Sequence, residues 1–77
     1  MDYSKIYYNI INNAKNRLIY EDIYYENHHI LPKSLGGKNS KDNLVKLTLR
    51  EHYIVHKLLV KIYLFLSKHT STQIVNN

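Results

Sequence analysis

The chain has 77 residues, 11 Lys and Arg against 6 Asp and Glu, five His and no Cys, for a formal net charge of +5. That length allows one domain, and such a chain buries only about 60% of the surface its unfolded form exposes, so it needs a staple. Without cysteine the staple is neither a disulfide nor a thiolate zinc site; imidazole-held metal remains, because an ion bound only by the folded state adds stability through linkage. The basic balance, with lysines spread from Lys5 to Lys68, favours polyanionic partners. Met1-Asp2 leads straight into an amphipathic segment, with no basic n-region and no apolar h-region, so a cytoplasmic protein is expected.

From Tyr3 to Leu18 the residues Ile6, Tyr7, Ile10, Ala14 and Leu18 recur at three- and four-residue steps, opposite Lys5, Asn9, Asn12, Asn13 and Asn16. This predicts an amphipathic helix with that stripe inward and Asp2 as its N-cap. Ile23 to Leu31 is rich in β-formers and is stopped by Pro32, which predicts a strand. Lys33 to Asn43 carries Ser34, Gly36-Gly37, Asn39, Ser40 and Asp42, the composition of a loop. Leu44, Val45 and Leu47 form a short second strand. Thr48-Leu49-Arg50-Glu51 then fits the capping box, in which the Thr hydroxyl and the Glu carboxylate each satisfy a free backbone N–H. A helix is expected from Leu49 to about Ser67, followed by a frayed polar tail from His69.

The histidines carry the chemistry. His52 and His56 are one turn apart on the second helix, so both rings project from one face and can chelate a single ion. One histidine on an apolar helix face is usually a packed core residue; two in register, with the adjacent pair His28-His29 on a neighbouring strand, read as a site. Strict strand alternation sends His28 and His29 to opposite faces, so the strand is expected to twist or bulge before Pro32 if both are to reach it. Glu26, two residues before His28, shares its face and is placed to accept a hydrogen bond from the distal N–H of a ligand histidine. Glu51 reads as a cap, and His69 is assigned no role. Lys33, Lys38, Lys41 and Lys46 around the loop, with Lys15 and Arg17 near the end of the first helix, are the candidates for phosphate contact.

The run Glu26-Asn27-His28-His29-Ile30-Leu31-Pro32-Lys33-Ser34-Leu35-Gly36-Gly37, then Asp42-Asn43-Leu44-Val45-Lys46-Leu47-Thr48 and Arg50-Glu51-His52-Tyr53-Ile54-Val55-His56, resembles the His-Asn-His (HNH) endonuclease motif. The resemblance covers Tyr24 to Ile62 and is nearest to the stand-alone homing-type HNH endonucleases of bacteriophages. It implies an α+β fold, a small ββα-metal nuclease module over 23–68 preceded by an amphipathic N-terminal helix and connector over 1–22, with the tail at 69–77. It also implies roles: His28, His52 and His56 as ligands of one divalent cation (Mg, Mn, Zn or Ni), and His29 as the general base that takes a proton from the attacking water. Asn43, by the same resemblance, either pins the loop or ligates metal, and Glu26 is retained among the site residues.

The implied activity is metal-dependent hydrolysis of DNA phosphodiester bonds, by nicking or double-strand cleavage, leaving 3′-hydroxyl and 5′-phosphate ends in the host cytoplasm of a phage. Phage members of the family are commonly longer, with C-terminal elements that choose the DNA site, so weak sequence preference is expected of this chain. The alternatives are a non-catalytic nucleic-acid-binding module built around structural zinc and an inactive truncated remnant. Leu58 to Leu66 is apolar nearly all round yet too short, and broken by Lys61, to span a bilayer. No membrane association is expected, and the segment calls for cover by a second copy in a homodimer or by a partner region.

Overall fold

A computed structural model describes residues 1–69. It is an α+β structure in the order α1 (Tyr3–Asn16), β1 (Glu26–His29), two single 3₁₀ turns (Lys33–Leu35 and Lys41–Asn43), β2 (Leu44–Leu47) and α2 (Leu49–His69). The strands form a two-stranded antiparallel sheet, with Glu26, Asn27, His28 and His29 opposite Leu47, Lys46, Val45 and Leu44. The tail over 70–77 lies outside the described residues.

Both helix starts are capped as the sequence suggests. The Asp2 carboxylate accepts the Lys5 backbone N–H at 3.0 Å. At α2 the capping box closes from both sides: Glu51 N–H donates to the Thr48 hydroxyl at 3.3 Å, and Thr48 N–H donates to Glu51 Oε1 at 2.8 Å. The core joins Tyr7, Ile11 and Ala14 of α1, Val45 and Leu47 of β2, and Val55 and Leu59 of α2, flanked by Ile10, Ile30, Leu58, Ile62 and Tyr63. Residues facing each other across an antiparallel pair share a face, so Glu26 and His28 lie on the inner face with Leu47 and Val45, while Asn27 and His29 lie outside with Lys46 and Leu44.

Three expectations are corrected. The inner stripe of α1 is Tyr7, Ile11 and Ala14 rather than one including Ile6 and Leu18: Ile6 is exposed and Leu18, at 75% exposure, follows the helix end. Arg17 takes an extended backbone conformation that closes α1 at Asn16. The first strand is Glu26–His29, shorter than the predicted Ile23 to Leu31, because β2 offers only four residues before Thr48 begins the cap of α2. The loop holds two 3₁₀ turns. Gly36 sits at φ +94°, a left-handed conformation that closes the first of them, and Gly37 packs so tightly that a Cβ would overlap the Leu31 carbonyl oxygen.

Beyond the core the second helix runs on to His69. Leu59 is buried, while Val60, Leu64 and Phe65 remain more than half exposed, because α1 covers only one side. Among the described residues no helix is long and apolar enough to cross a membrane.

Candidate metal centre

The hairpin and α2 bring three imidazoles together. His28 comes from the inner face of β1 and is 2% exposed; His52 and His56 come from the first two turns of α2, which the capping box starts at Leu49. One ring nitrogen from each lies within 4.8 Å of the others. Ring centroids are 5.1 Å apart for His28 and His52, 5.3 Å for His28 and His56, and 4.6 Å for His52 and His56. The Nε2 atoms of His52 and His56 approach to 3.0 Å, a separation that two lone pairs tolerate only with a proton or a cation between them.

The surroundings suit a cation ligated by neutral imidazoles. Burial, followed by the neighbouring His52, His56 and His29, pushes the His28 imidazole down to about 4, so it is neutral at physiological pH. Burial and then His52 move His56 in the same direction. Outside the cluster His52 Nδ1 lies 2.8 Å from Glu26 Oε1, the carboxylate contact that fixes a ligand ring and leaves Nε2 facing inward. That bond, and then a 3.0 Å hydrogen bond from the Tyr24 hydroxyl, hold the Glu26 carboxyl below its usual range. His28 Nε2 lies 2.7 Å from the Tyr7 hydroxyl, which donates to the Ile30 carbonyl at 2.9 Å. Burial raises the Tyr7 phenol, keeping it protonated. Three convergent imidazoles, with the rings of His28 and His52 held on their outer side by Tyr7 and Glu26, are compatible with a divalent cation.

His29 reaches the same place by another route. The strand register is regular, with no bulge, and His28 and His29 point to opposite faces. Both nevertheless line one recess of about 310 Å³, together with Asn27, His52, His56, Pro32, Lys33 and Leu59. His29 Nε2 is 2.6 Å from Asn39 Oδ1. With the ring N–H donated to that oxygen, the lone pair of His29 sits on Nδ1.

Asn43 stands apart from the cluster. Its Oδ1 accepts Leu31 N–H at 2.8 Å, and its Nδ2 donates to the carbonyls of Leu31 at 3.1 Å and Lys38 at 2.9 Å, so the side chain rivets both ends of the loop. Lys33 lines the histidine recess, whereas Lys41 and Lys46 line a shallow groove on the outer hairpin face with Asn27 and Asn39. Lys38, Lys41 and Lys46 are all exposed. Lys15 donates to the Asp42 carbonyl at 3.4 Å.

Arg17 is placed differently. Its two terminal nitrogens each donate to Glu51 at 2.6 Å, one of them also to the Lys46 carbonyl at 3.1 Å, and the guanidinium lies over the Tyr25 ring at 5.4 Å. Tyr7 and Asn39, which hold His28 and His29, carry no local signal in the sequence: one is a core tyrosine, the other a loop asparagine among several.

An antiparallel hairpin and a helix that clasp three histidines define the class, a ββα arrangement with a candidate metal site. The chain is similar to several proteins of Enterobacteria phage T4. It is 49% identical over 63 residues to "Probable mobile endonuclease E", 47% over 66 residues to "Probable mobile endonuclease D" and 46% over 65 residues to "Probable mobile endonuclease C". Each match takes in 82% of this chain but only 44%, 26% and 31% of the respective relative, so the chain spans less than half the length of the proteins it matches. No family model matches, and no solved structure matches.

Proposed function

We propose that this chain is an HNH-type nuclease module that hydrolyses DNA phosphodiester bonds with one divalent cation held by His28, His52 and His56. The observation that carries the reading is the convergence of those three imidazoles in the recess that His29 also lines. The similarity to mobile endonucleases supports it.

His28, His52 and His56 would hold the divalent ion, which would supply Lewis-acid chemistry for the charge that builds on the phosphoryl group and the leaving 3′ oxygen. The protein supplies the rest. His29, its Nε2–H engaged by Asn39 Oδ1, takes a proton from the attacking water at Nδ1. Lys33 at the recess, and Lys38, Lys41 and Lys46 on the exposed hairpin and loop surface, draw in the DNA backbone and make binding fall steeply with salt. Asn43 holds the loop that carries Asn39. Pro32 and Leu59 form part of the recess wall.

The test is cleavage of supercoiled plasmid by metal-stripped protein supplied with magnesium, manganese, zinc or nickel, beside His29→Ala. Metal-dependent conversion to open-circle or linear DNA is expected, reduced about 10²- to 10⁴-fold in His29→Ala, while that variant keeps its metal and DNA binding. Absence of conversion with every ion, from folded protein that binds both metal and DNA, would overturn the catalytic reading in favour of a binding module.

A further inference from the structure

We propose that Tyr7, on α1 and outside the hairpin and helix that carry the three imidazoles, is a positioning residue for the metal centre: its hydroxyl obliges His28 to present Nδ1 to the ion. The inference rests on the metal-centre reading above and specifies how that centre is held.

The argument is a count of protons. The Tyr7 hydroxyl lies between two partners, the Ile30 carbonyl at 2.9 Å and His28 Nε2 at 2.7 Å. It owns one hydrogen. A carbonyl has none to give, so the Tyr7 hydrogen goes to Ile30, and the contact with His28 must be made by a hydrogen on His28 Nε2. The reverse arrangement would leave two oxygens facing each other at 2.9 Å with no hydrogen between them. Tyr7 is 1% exposed and His28 2% exposed, so water does not replace either partner. In a neutral imidazole with its proton on Nε2, the lone pair is on Nδ1, and that is the atom left for a ligand.

His52 is held in the opposite sense. Its Nδ1 faces Glu26, and Nε2 turns inward toward His56 Nε2. The centre therefore offers Nδ1 from His28, held so by Tyr7, and Nε2 from His52, held so by Glu26, with His56 Nε2 facing the latter. Tyr7 stands 21 residues before His28, so α1 docking and metal binding are linked through one hydroxyl. Groups that hold the distal nitrogen of a ligand histidine typically change metal affinity 10- to 100-fold when removed.

The experiment compares wild type with Tyr7→Phe, which keeps the buried ring and removes only the hydroxyl, and with Ile11→Val as a control for core loosening on the same helix. Affinity for cobalt(II) and zinc is measured by competition with a chromophoric chelator. The His28 tautomer is read from long-range ¹H–¹⁵N correlations in metal-free wild-type protein. The expected results are an Nε2–H tautomer at His28, about 10- to 100-fold weaker metal binding in Tyr7→Phe, and unchanged binding in Ile11→Val. An Nδ1–H tautomer at His28, or folded Tyr7→Phe with wild-type affinity, would overturn the role of Tyr7 alone. A wild type that binds neither ion would overturn the metal centre itself, and the tautomer spectrum would still decide whether Tyr7 orients His28.

Discussion

Replacing Glu51 by Gln should cost about 1–2 kcal/mol of stability at neutral pH. In the native chain the Glu51 carboxylate receives both terminal nitrogens of Arg17 at 2.6 Å and the Thr48 N–H at 2.8 Å. A glutamine keeps one oxygen for Thr48 but sets an amide NH₂ against the guanidinium. Hydrogen bonds to charged groups are worth about 1.5–3 kcal/mol when well desolvated, and fully exposed ion pairs about 0.2–1 kcal/mol. With side-chain exposures of 30% and 28% for Arg17 and Glu51, solvent screening places this bidentate pair between those limits. A 77-residue chain has a total stability of about 4–12 kcal/mol, so the loss is a sizeable share of it.

Urea unfolding followed by circular dichroism is the assay. With a slope of about 1 kcal/mol per molar urea, the midpoint should fall by about 1–2 M. The pH dependence separates ion pairing from mere packing. The Arg17 hydrogen bonds, and after them those of Thr48, hold the Glu51 carboxyl below its ordinary value of 4.5 in the folded state, against the opposing effect of burial. A depressed folded pKa gives stability that is fully present above about 4.5 and is lost as pH falls through the folded value. The gap between wild type and Glu51→Gln should hold steady from pH 7 to 5 and close below that. The acid sensitivity that His28 adds is common to both proteins and cancels. A gap under about 0.2 kcal/mol at pH 7, below the range even of an exposed pair, or a larger gap unchanged down to pH 3, would refute the reasoning.

Two substitutions test the loop and the metal support. Gly37→Ala should destabilise by about 1–3 kcal/mol, because the new Cβ would overlap backbone atoms of Leu31 and Pro32. Gly36→Ala has open space around it and should cost only about 1–2 kcal/mol for its left-handed φ; urea midpoints give the ranking, and a larger loss at Gly36 would contradict the packing described. Glu26→Gln should weaken zinc binding about 10-fold by removing the carboxylate that faces His52 Nδ1, while Tyr24→Phe leaves affinity within error. Chelator competition measures both, and equal affinities for all three proteins would show that Glu26 does not support His52.

What the sequence discloses about this molecule is what short-range chemistry determines. Asp2 with Lys5, and Thr48 with Glu51, are three residues apart, and their caps form as that spacing dictates. His52 and His56 share a face because a helix turns by a fixed amount, and Glu26 shares one with His28 because a strand alternates. The azimuth of α1 is different. Its sequence has two overlapping apolar stripes, and only the positions of β2 and α2 select the one through Tyr7 and Ile11. The Tyr7 contact with His28 depends on that choice, so local pattern does not reveal it. Arg17 and Glu51, 34 residues apart, read as a phosphate candidate and a cap, and that they also pair with each other shows only in the fold. The expectation of a bulge at His28-His29 took a single face of the hairpin as the site, whereas the recess is lined by side chains from both faces of β1.

The packing of α1 has a consequence for portability. The hairpin and α2 supply all three imidazoles, yet Val45 and Leu47 owe much of their cover to Tyr7, Ile11 and Ala14. A fragment excised at the start of β1 would carry all three of these histidines and leave its apolar face wet, with His28 deprived of its buried neighbour. A fusion or shuffled variant that trims the first helix would therefore give up the core contacts of Tyr7, Ile11 and Ala14 together with the Tyr7 hydroxyl beside His28.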